Sequence, residues 1–217
     1  MKLVKGFCLH GLYGITPNNL SNEILIERIE LALLHGLKIL QYRNKGKDVR
    51  NQVKQASAIK ILCQKYNVPL IINDNVDIAL EVNAEGLHIG KDDVSLNIAR
   101  EKLGDDVLIG VSCYGNLKLA EESIKLGADY VAFGSFFKSL TKPDAPTIDE
   151  NILQMAREKL RCPIVAIGGI TPENGLKLVK NGADMLAVIN TLFSTHSYKE
   201  GAKKMAQLFE VNLEKNK

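Results

Sequence analysis

Short apolar, β-branched runs recur along the chain, each followed by a stretch in which apolar residues return every three or four positions. The runs fall at residues 12–16, 38–43, 68–74, 86–90, 107–112, 129–134, 163–169 and 185–190. Several, such as VPLIIND and CPIVAIGG, are continuous rather than alternating, which suits parallel strands covered on both faces. The segments between them carry helix punctuation. Residues 21–34 put Ile26, Ile29 and Leu33 on one face and end near Gly36, and residues 48–66 form a long amphipathic stretch. The run TIDE at 147–150 reads as a capping box opening a helix that continues to Arg161. Thr171 followed by Pro172 predicts an N-cap with proline in the first helical position, and Gly182 closes that helix. A last helix starts near Ser197 and runs toward Phe209.

Eight strands alternating with helices predict a single (β/α)8 TIM barrel rather than an open doubly wound sheet. The triplet Gly-Ala-Asp precedes a strand twice, at 127–129 and 182–184, which supports repeated barrel units. No composition shift marks a second domain, so residues 1–217 are expected to form one barrel. Composition narrows the class without naming a reaction. The 217 residues are 46% hydrophobic, 24% charged and 6% aromatic, a profile that argues against a disordered chain or a small cystine-rich module. The formal net charge of +3 is too small to point to nucleic acid, and no dense basic run interleaved with aromatics supports such a partner. No segment approaches the roughly 20 apolar residues of a spanning helix, and the N-terminal apolar stretch is too short and broken for a secretory signal. Cys8, Cys63, Cys113 and Cys162 are far apart in sequence and form no CxxC pair, so zinc or thiol-redox chemistry is poorly supported. Cys113 and Cys162 sit in strand-like surroundings and read as buried reduced thiols. A cytoplasmic protein is expected, with a homo-oligomer left open.

In a barrel the chemistry lies at the C-terminal ends of the strands and the loops after them. The second strand ends in Gln41, Tyr42, Arg43, Asn44 and Lys45, and period-two alternation puts Gln41, Arg43 and Lys45 on one face. An amide and two cations there could hold a diphosphate, Arg as a bidentate donor and Lys as a mobile point charge; a solvated loop fits the same residues. The third strand ends in Asn73 and Asp74, the fourth near Asp92 and Asp93. Carboxylates on adjacent strand ends suit Mg²⁺ carried by a phosphorylated substrate. The competing role is turn and helix capping, which is the role expected for Asp92. Gly168 and Gly169 end the seventh strand, where bare backbone can approach a ligand closely, and barrels often bind phosphate with the loops after strands seven and eight. The connection at residues 135–146 exceeds a typical βα loop. Its Ser139, Thr141 and Lys142 suit phosphate oxygens, whether it acts as a lid or as a surface excursion. His88 lies mid-strand and reads as a satisfied histidine inside the barrel or behind the site. No GxSxG, HExxH or Cys–His arrangement is present.

Taken together, LYGITP, QYRNKG, IINDNVDIAL, GLHIGKDD, GVSCYGN, ADYVAFGSFFKSLTK, PIVAIGGITPEN and GADMLAVINTLF, in this order over residues 12–193, resemble the thiamine-phosphate synthase family. The resemblance implies a (β/α)8 barrel and a Mg²⁺-dependent transferase that couples 4-amino-5-hydroxymethyl-2-methylpyrimidine diphosphate to a thiazole phosphate. It further implies that the run Gln41, Tyr42, Arg43, Asn44 and Lys45 binds the pyrimidine diphosphate together with Asn73, Ser112 and Lys142. The resemblance makes Arg43, Lys45, Ser112 and Lys142 the expected catalytic set, and Asp74 and Asp93 match the magnesium ligands. Ser139, Leu140 and Thr141, with Gly168, Gly169, Ile189 and Asn190, match positions for the thiazole phosphate. This chain departs from the family's usual residues at Lys91 (Gln), Tyr114 (His), Ser139 (Thr) and Asn190 (Ser). The rival readings are a related thiazole tautomerase, which relies on a histidine where Tyr114 stands, and a barrel that binds thiamine precursors without turning them over.

Overall fold

The computed structural model describes residues 3–18, 20–139, 143–193 and 198–214. Eight parallel strands close into a barrel, β1 (Gly11–Ile15), β2 (Leu37–Tyr42), β3 (Leu70–Asn73), β4 (Gly86–Ile89), β5 (Leu108–Tyr114), β6 (Tyr130–Phe133), β7 (Ile164–Ile167) and β8 (Met185–Val188). Each strand pairs with its successor in sequence, and β8 pairs back onto β1. The outer helices are α1 (Asn22–Leu34), α2 (Val49–Lys65), α3 (Val76–Glu81), α4 (Leu96–Leu103), α5 (Leu117–Lys125), α6 (Asn151–Lys159), α7 (Pro172–Lys180), the short α8 (Asn190–Phe193) and α9 (Tyr198–Glu214).

The helix starts follow side-chain chemistry. Ser21 and Asp48 accept the backbone N–H of Ile24 and Asn51 and so start α1 and α2. Thr171 precedes Pro172, and its N–H is returned to the Asn174 side chain at 2.8 Å. The expected capping box at 147–150 is not formed. α6 begins only after Glu150, and Asp149 Oδ1 accepts the N–H of Asn151 instead. Asp92 is likewise no helix cap, because Ser95 takes that place for α4.

Two apolar clusters divide the labour. One fills the space between strands and helices, and its members include Leu25, Ile29, Ile59, Leu87, Leu153 and Phe193. The other fills the barrel itself with Tyr13, Ile39, Ile71, Leu108, Tyr130, Val165 and Met185. The continuous apolar strands arise here, since alternate residues face one cluster and then the other. Inside the barrel, large side chains face small ones. A Cβ on Gly110 would lie 1.9 Å from the Tyr130 ring, so only glycine on β5 admits that ring.

The repeated triplet has a structural cause at the N-terminal end of the barrel. Asn83, Gly127 and Gly182 end helices in the left-handed region. The following Ala84, Ala128 and Ala183 return their N–H groups to Ala79, Ser123 and Leu178 carbonyls in the helices just completed. The next residue is an acid each time. Glu85 accepts the N–H of Leu70 and the ammonium of Lys60. Asp129 accepts the N–H of Ile109 at 2.8 Å, Arg100 at 2.8 Å and Lys5 at 2.7 Å. Asp184 accepts the N–H of Ile164 at 2.7 Å and pairs with Arg157. Each acid therefore ties the start of an odd-numbered strand to the helix before it and to the even-numbered strand after it. Charge-assisted bonds of this kind are stronger than neutral ones.

Candidate functional site

A cavity of about 550 Å³ opens at the C-terminal end of the barrel. Its floor is the barrel interior, with Tyr13, Gln41, His88, Val165 and Ala187. Its walls include Arg43, Asn73 and Ser112 on one side. Ser139, Gly168, Gly169, Ile189 and Asn190 also line it. The structure thus brings together residues expected for both phosphorylated ligands.

β2 carries the first group. Gln41 points inward and is buried, Arg43 is half-buried, and alternation turns Tyr42 between them outward. Thr16, at the end of β1, clamps Arg43 by its backbone, accepting the N–H at 2.8 Å and donating to the carbonyl at 3.1 Å. The Arg43 guanidinium has no hydrogen-bond or ion-pair partner among the described residues, so it can present its donors to an anion. Tyr42 and Asn44 turn toward α2, where both engage Gln55. Their side chains do not reach the cavity, and only their backbone remains to face a ligand.

Asp74 and Asp93 meet at the rim. Asp74 stands in the left-handed region (φ 63°) and hangs from β4 by its N–H, bonded to the His88 carbonyl at 2.9 Å. Asn75, not Asp74, caps α3, which leaves the Asp74 carboxylate to pair with Lys45. Asp93 accepts the N–H of Gly90 at 2.7 Å. Burial pushes the Asp93 carboxyl above its ordinary value, and its hydrogen bond with Asp74 adds to the rise. Two carboxylates so close need a proton or a cation between them. No group of three or more His, Cys, Asp or Glu ligands occurs among the described residues. A pair of carboxylates fits Mg²⁺, which takes one or two from a protein and completes its shell with water and substrate phosphate. Tyr114, in the left-handed region after a register shift in β5, reaches over this loop with its hydroxyl 3.4 Å from the Lys91 N–H.

The glycines after β7 have a more specific cause than open access. Gly168 (φ 109°) and Gly169 (φ 60°) lie under residues 135–138. A Cβ on Gly168 would meet Ser135 Oγ at 1.9 Å, and one on Gly169 the Lys138 carbonyl at 2.4 Å. They admit the start of the long loop to the cavity edge, where Phe136 and Phe137 donate to the Ile167 and Gly168 carbonyls. Ser139 follows directly and lines the cavity. Leu140, Thr141 and Lys142 lie outside the described residues.

His88 is satisfied on both sides, by Tyr130 at Nδ1 and by Ser112 at Nε2. Burial lowers its pKa to about 4, and the charge of Asp93 opposes that only in part. Tyr13, Thr16 and Tyr130 were not legible as site residues in the sequence. The available signal was a tyrosine at an inward position of a strand, where an aliphatic residue would otherwise stand.

Fold and site define a (β/α)8 barrel with a cavity at the C-terminal ends of its strands, where Arg43 stands in the wall. The family model described as thiamine monophosphate synthase matches residues 12–192. The thiamine-phosphate synthase of Methylobacillus flagellatus is 46% identical over 201 residues, 93% of this chain and 96% of its own length. That of Nitrosospira multiformis is 43% identical over 200 residues, 92% of this chain and 86% of its own. The solved thiamine phosphate pyrophosphorylase of Pyrococcus furiosus superposes with a TM-score of 0.86 at 31% identity, covering 94% of this chain and 98% of that one. The chain belongs to the thiamine monophosphate synthase family. Among the described residues no helix is long and apolar enough to cross a membrane.

Proposed function

We propose that the protein is a transferase that joins an aminopyrimidine methyl diphosphate to a thiazole phosphate, forming thiamine phosphate and releasing diphosphate. The observation that carries this is the placement of Arg43, Asn73 and Ser112 on one cavity wall with the Asp74–Asp93 pair beside it. Cleaving the pyrimidine's CH₂–O bond develops negative charge on the departing diphosphate and positive charge on the methylene carbon. Arg43 and Ser112 stand where they can donate to diphosphate oxygens, and such donors act most strongly where water is excluded. Lys45, which pairs with Asp74, and Lys142 are assigned to the same ligand by family resemblance. Mg²⁺ held by Asp74 and Asp93 would neutralise diphosphate charge.

The second substrate takes the other wall, with Ser139, Gly168, Gly169, Ile189 and Asn190 for its phosphate and Leu140 and Thr141 assigned by resemblance. The thiazole nitrogen supplies the electron pair for the new C–N bond, so the protein's task is to hold two ligands in line and shield a short-lived cation. The apolar floor of Val165, Ala187 and Ile167 suits that shielding.

Incubating the purified protein with both precursors and Mg²⁺ should yield thiamine phosphate and one equivalent of diphosphate. Isomerisation of the thiazole phosphate without coupling would make the protein a tautomerase instead. Binding of both ligands without any product would make it a non-catalytic binder.

A further inference from the structure

Along the cavity floor a line of five side chains crosses the barrel interior, contributed by β2, β1, β6, β4 and β5. Gln41 Nε2 donates to the Tyr13 hydroxyl at 2.8 Å, and the hydroxyls of Tyr13 and Tyr130 lie 2.9 Å apart. The Tyr130 hydroxyl is 3.1 Å from His88 Nδ1, and His88 Nε2 is 2.9 Å from Ser112 Oγ. Tyr130, Tyr13, Gln41 and His88 are exposed by only 0, 1, 3 and 8%, so no bulk water serves the middle of the line.

The orientation of the Gln41 amide, which puts Nε2 and not Oε1 on the Tyr13 hydroxyl, sets its direction, and counting protons carries that direction along the line. Each phenol has one proton, and a neutral imidazole has one donor and one acceptor nitrogen. With the Gln41 amide donating into Tyr13, the Tyr13 proton must go to Tyr130. In the reverse sense the Tyr13 oxygen would accept twice and its own proton would be buried without a partner, a cost that native interiors avoid. The Tyr130 proton then passes to His88 Nδ1. His88 carries its proton on Nε2, and Ser112 receives it.

We propose that this buried line holds His88 as the Nε2–H tautomer, so that Ser112 accepts from the imidazole and turns its own proton toward an oxygen of the bound diphosphate. His88, Tyr130 and Tyr13 are thus positioning residues, and Ser112 is a fixed donor. A Ser–His contact at 2.9 Å also occurs in nucleophile–base pairs, but there Nε2 accepts from the serine and Nδ1–H donates to a carboxylate. Here Nδ1 faces a phenol and not a carboxylate. The serine is therefore a donor and not a nucleophile. At the other end the Gln41 side-chain oxygen is left as an acceptor for a ligand N–H.

The inference rests on the function proposed above, but its first test does not. Long-range proton–nitrogen spectra of the ¹⁵N-labelled protein without ligands, with His88 assigned by the loss of its signals in His88→Gln, should show the proton on Nε2. A proton on Nδ1 would overturn the proposal outright. The second test is a double-mutant cycle. Tyr130→Phe should lower kcat by about tenfold to a hundredfold and leave KM for the thiazole phosphate nearly unchanged. That loss should vanish in a Ser112→Ala background; equal losses in both backgrounds would make Tyr130 purely structural and refute the line. Should Tyr130→Phe not fold, the tautomer spectrum of the natural chain still decides. Failure of the natural chain to make thiamine phosphate would remove the proposed function and leave that same spectrum as the deciding result.

Discussion

Replacing Asp129 by alanine separates stability from chemistry, because this carboxylate sits at the end of the barrel opposite the cavity. Its Oδ2 accepts from the Ile109 N–H, Arg100 and Lys5. The three side chains are 12, 16 and 20% exposed for Asp129, Arg100 and Lys5. Removing one partner of a fully buried ion pair costs about 3–5 kcal/mol. The loss here is smaller, because Arg100 keeps the Gly104, Val107 and Gly127 carbonyls and Lys5 keeps that of Val107. What is lost outright is the partner of the Ile109 N–H and the neutralising charge, together about 2–3 kcal/mol. At about 2–4 °C per kcal/mol for a chain of this size, the melting temperature should fall by about 5–10 °C. Urea unfolding should show a lower midpoint with an unchanged slope, while kcat at 25 °C stays within about twofold, as the N-terminal face carries stability rather than catalysis. A loss below about 0.5 kcal/mol would show that the carboxylate is no more than a surface ion pair. A turnover loss larger than the stability loss explains would refute the separation of the two ends.

Acid stability follows from His88. Its folded pKa of about 4 lies below the ordinary 6.5, so the unfolded chain binds the extra proton first as pH falls. The stabilising effect is complete above pH 6.5 and is lost down to pH 4, by roughly 3 kcal/mol; a His88→Gln variant with an equally steep pH dependence of unfolding would contradict this. Asp93→Ala should raise the Mg²⁺ concentration needed for half-maximal turnover by at least about tenfold while moving the melting temperature little. An unchanged Mg²⁺ titration would remove Asp93 from the metal site. Arg43→Ala should weaken pyrimidine diphosphate binding by about 2 kcal/mol and leave thiazole phosphate binding unchanged by calorimetry. Equal losses for both ligands would contradict the division of the cavity into two walls.

The eight strands were legible because parallel strands packed on both faces must be apolar without interruption, and all eight lie within about two residues of their expected ends. Helix starts at Ser21, Asp48 and Thr171 were legible because capping is local chemistry. The capping box at 147–150 misled because its residues follow the long loop, and Asp149 rather than Thr147 supplies the side-chain acceptor for the helix start. In the site, Arg43, Asn73, Asp74 and Asp93 were readable as polar residues at strand ends, whereas Ser112 came only with the family resemblance. Tyr42 and Asn44 belonged to the same run, yet the strand's alternation turns their side chains to α2.

Local pattern alone therefore determined the strand–helix alternation, the barrel class and the chemistry available at the strand mouths, since each depends on neighbours within a few residues. Only the closed barrel decided which of those groups meet. Asp74 and Asp93 come together because β3 and β4 are adjacent, and Gln41, Tyr13, Tyr130, His88 and Ser112 join across strands up to 117 residues apart in sequence. Hydrogen-bond direction along that line and the tie between each basal acid and its strand depend on angles and burial that no linear spacing encodes. The even scatter of 28 basic and 25 acidic residues gave no sign of this; barrel closure sorts part of them into stabilising pairs at one end and gathers Arg43, Lys45, Asp74 and Asp93 at the other.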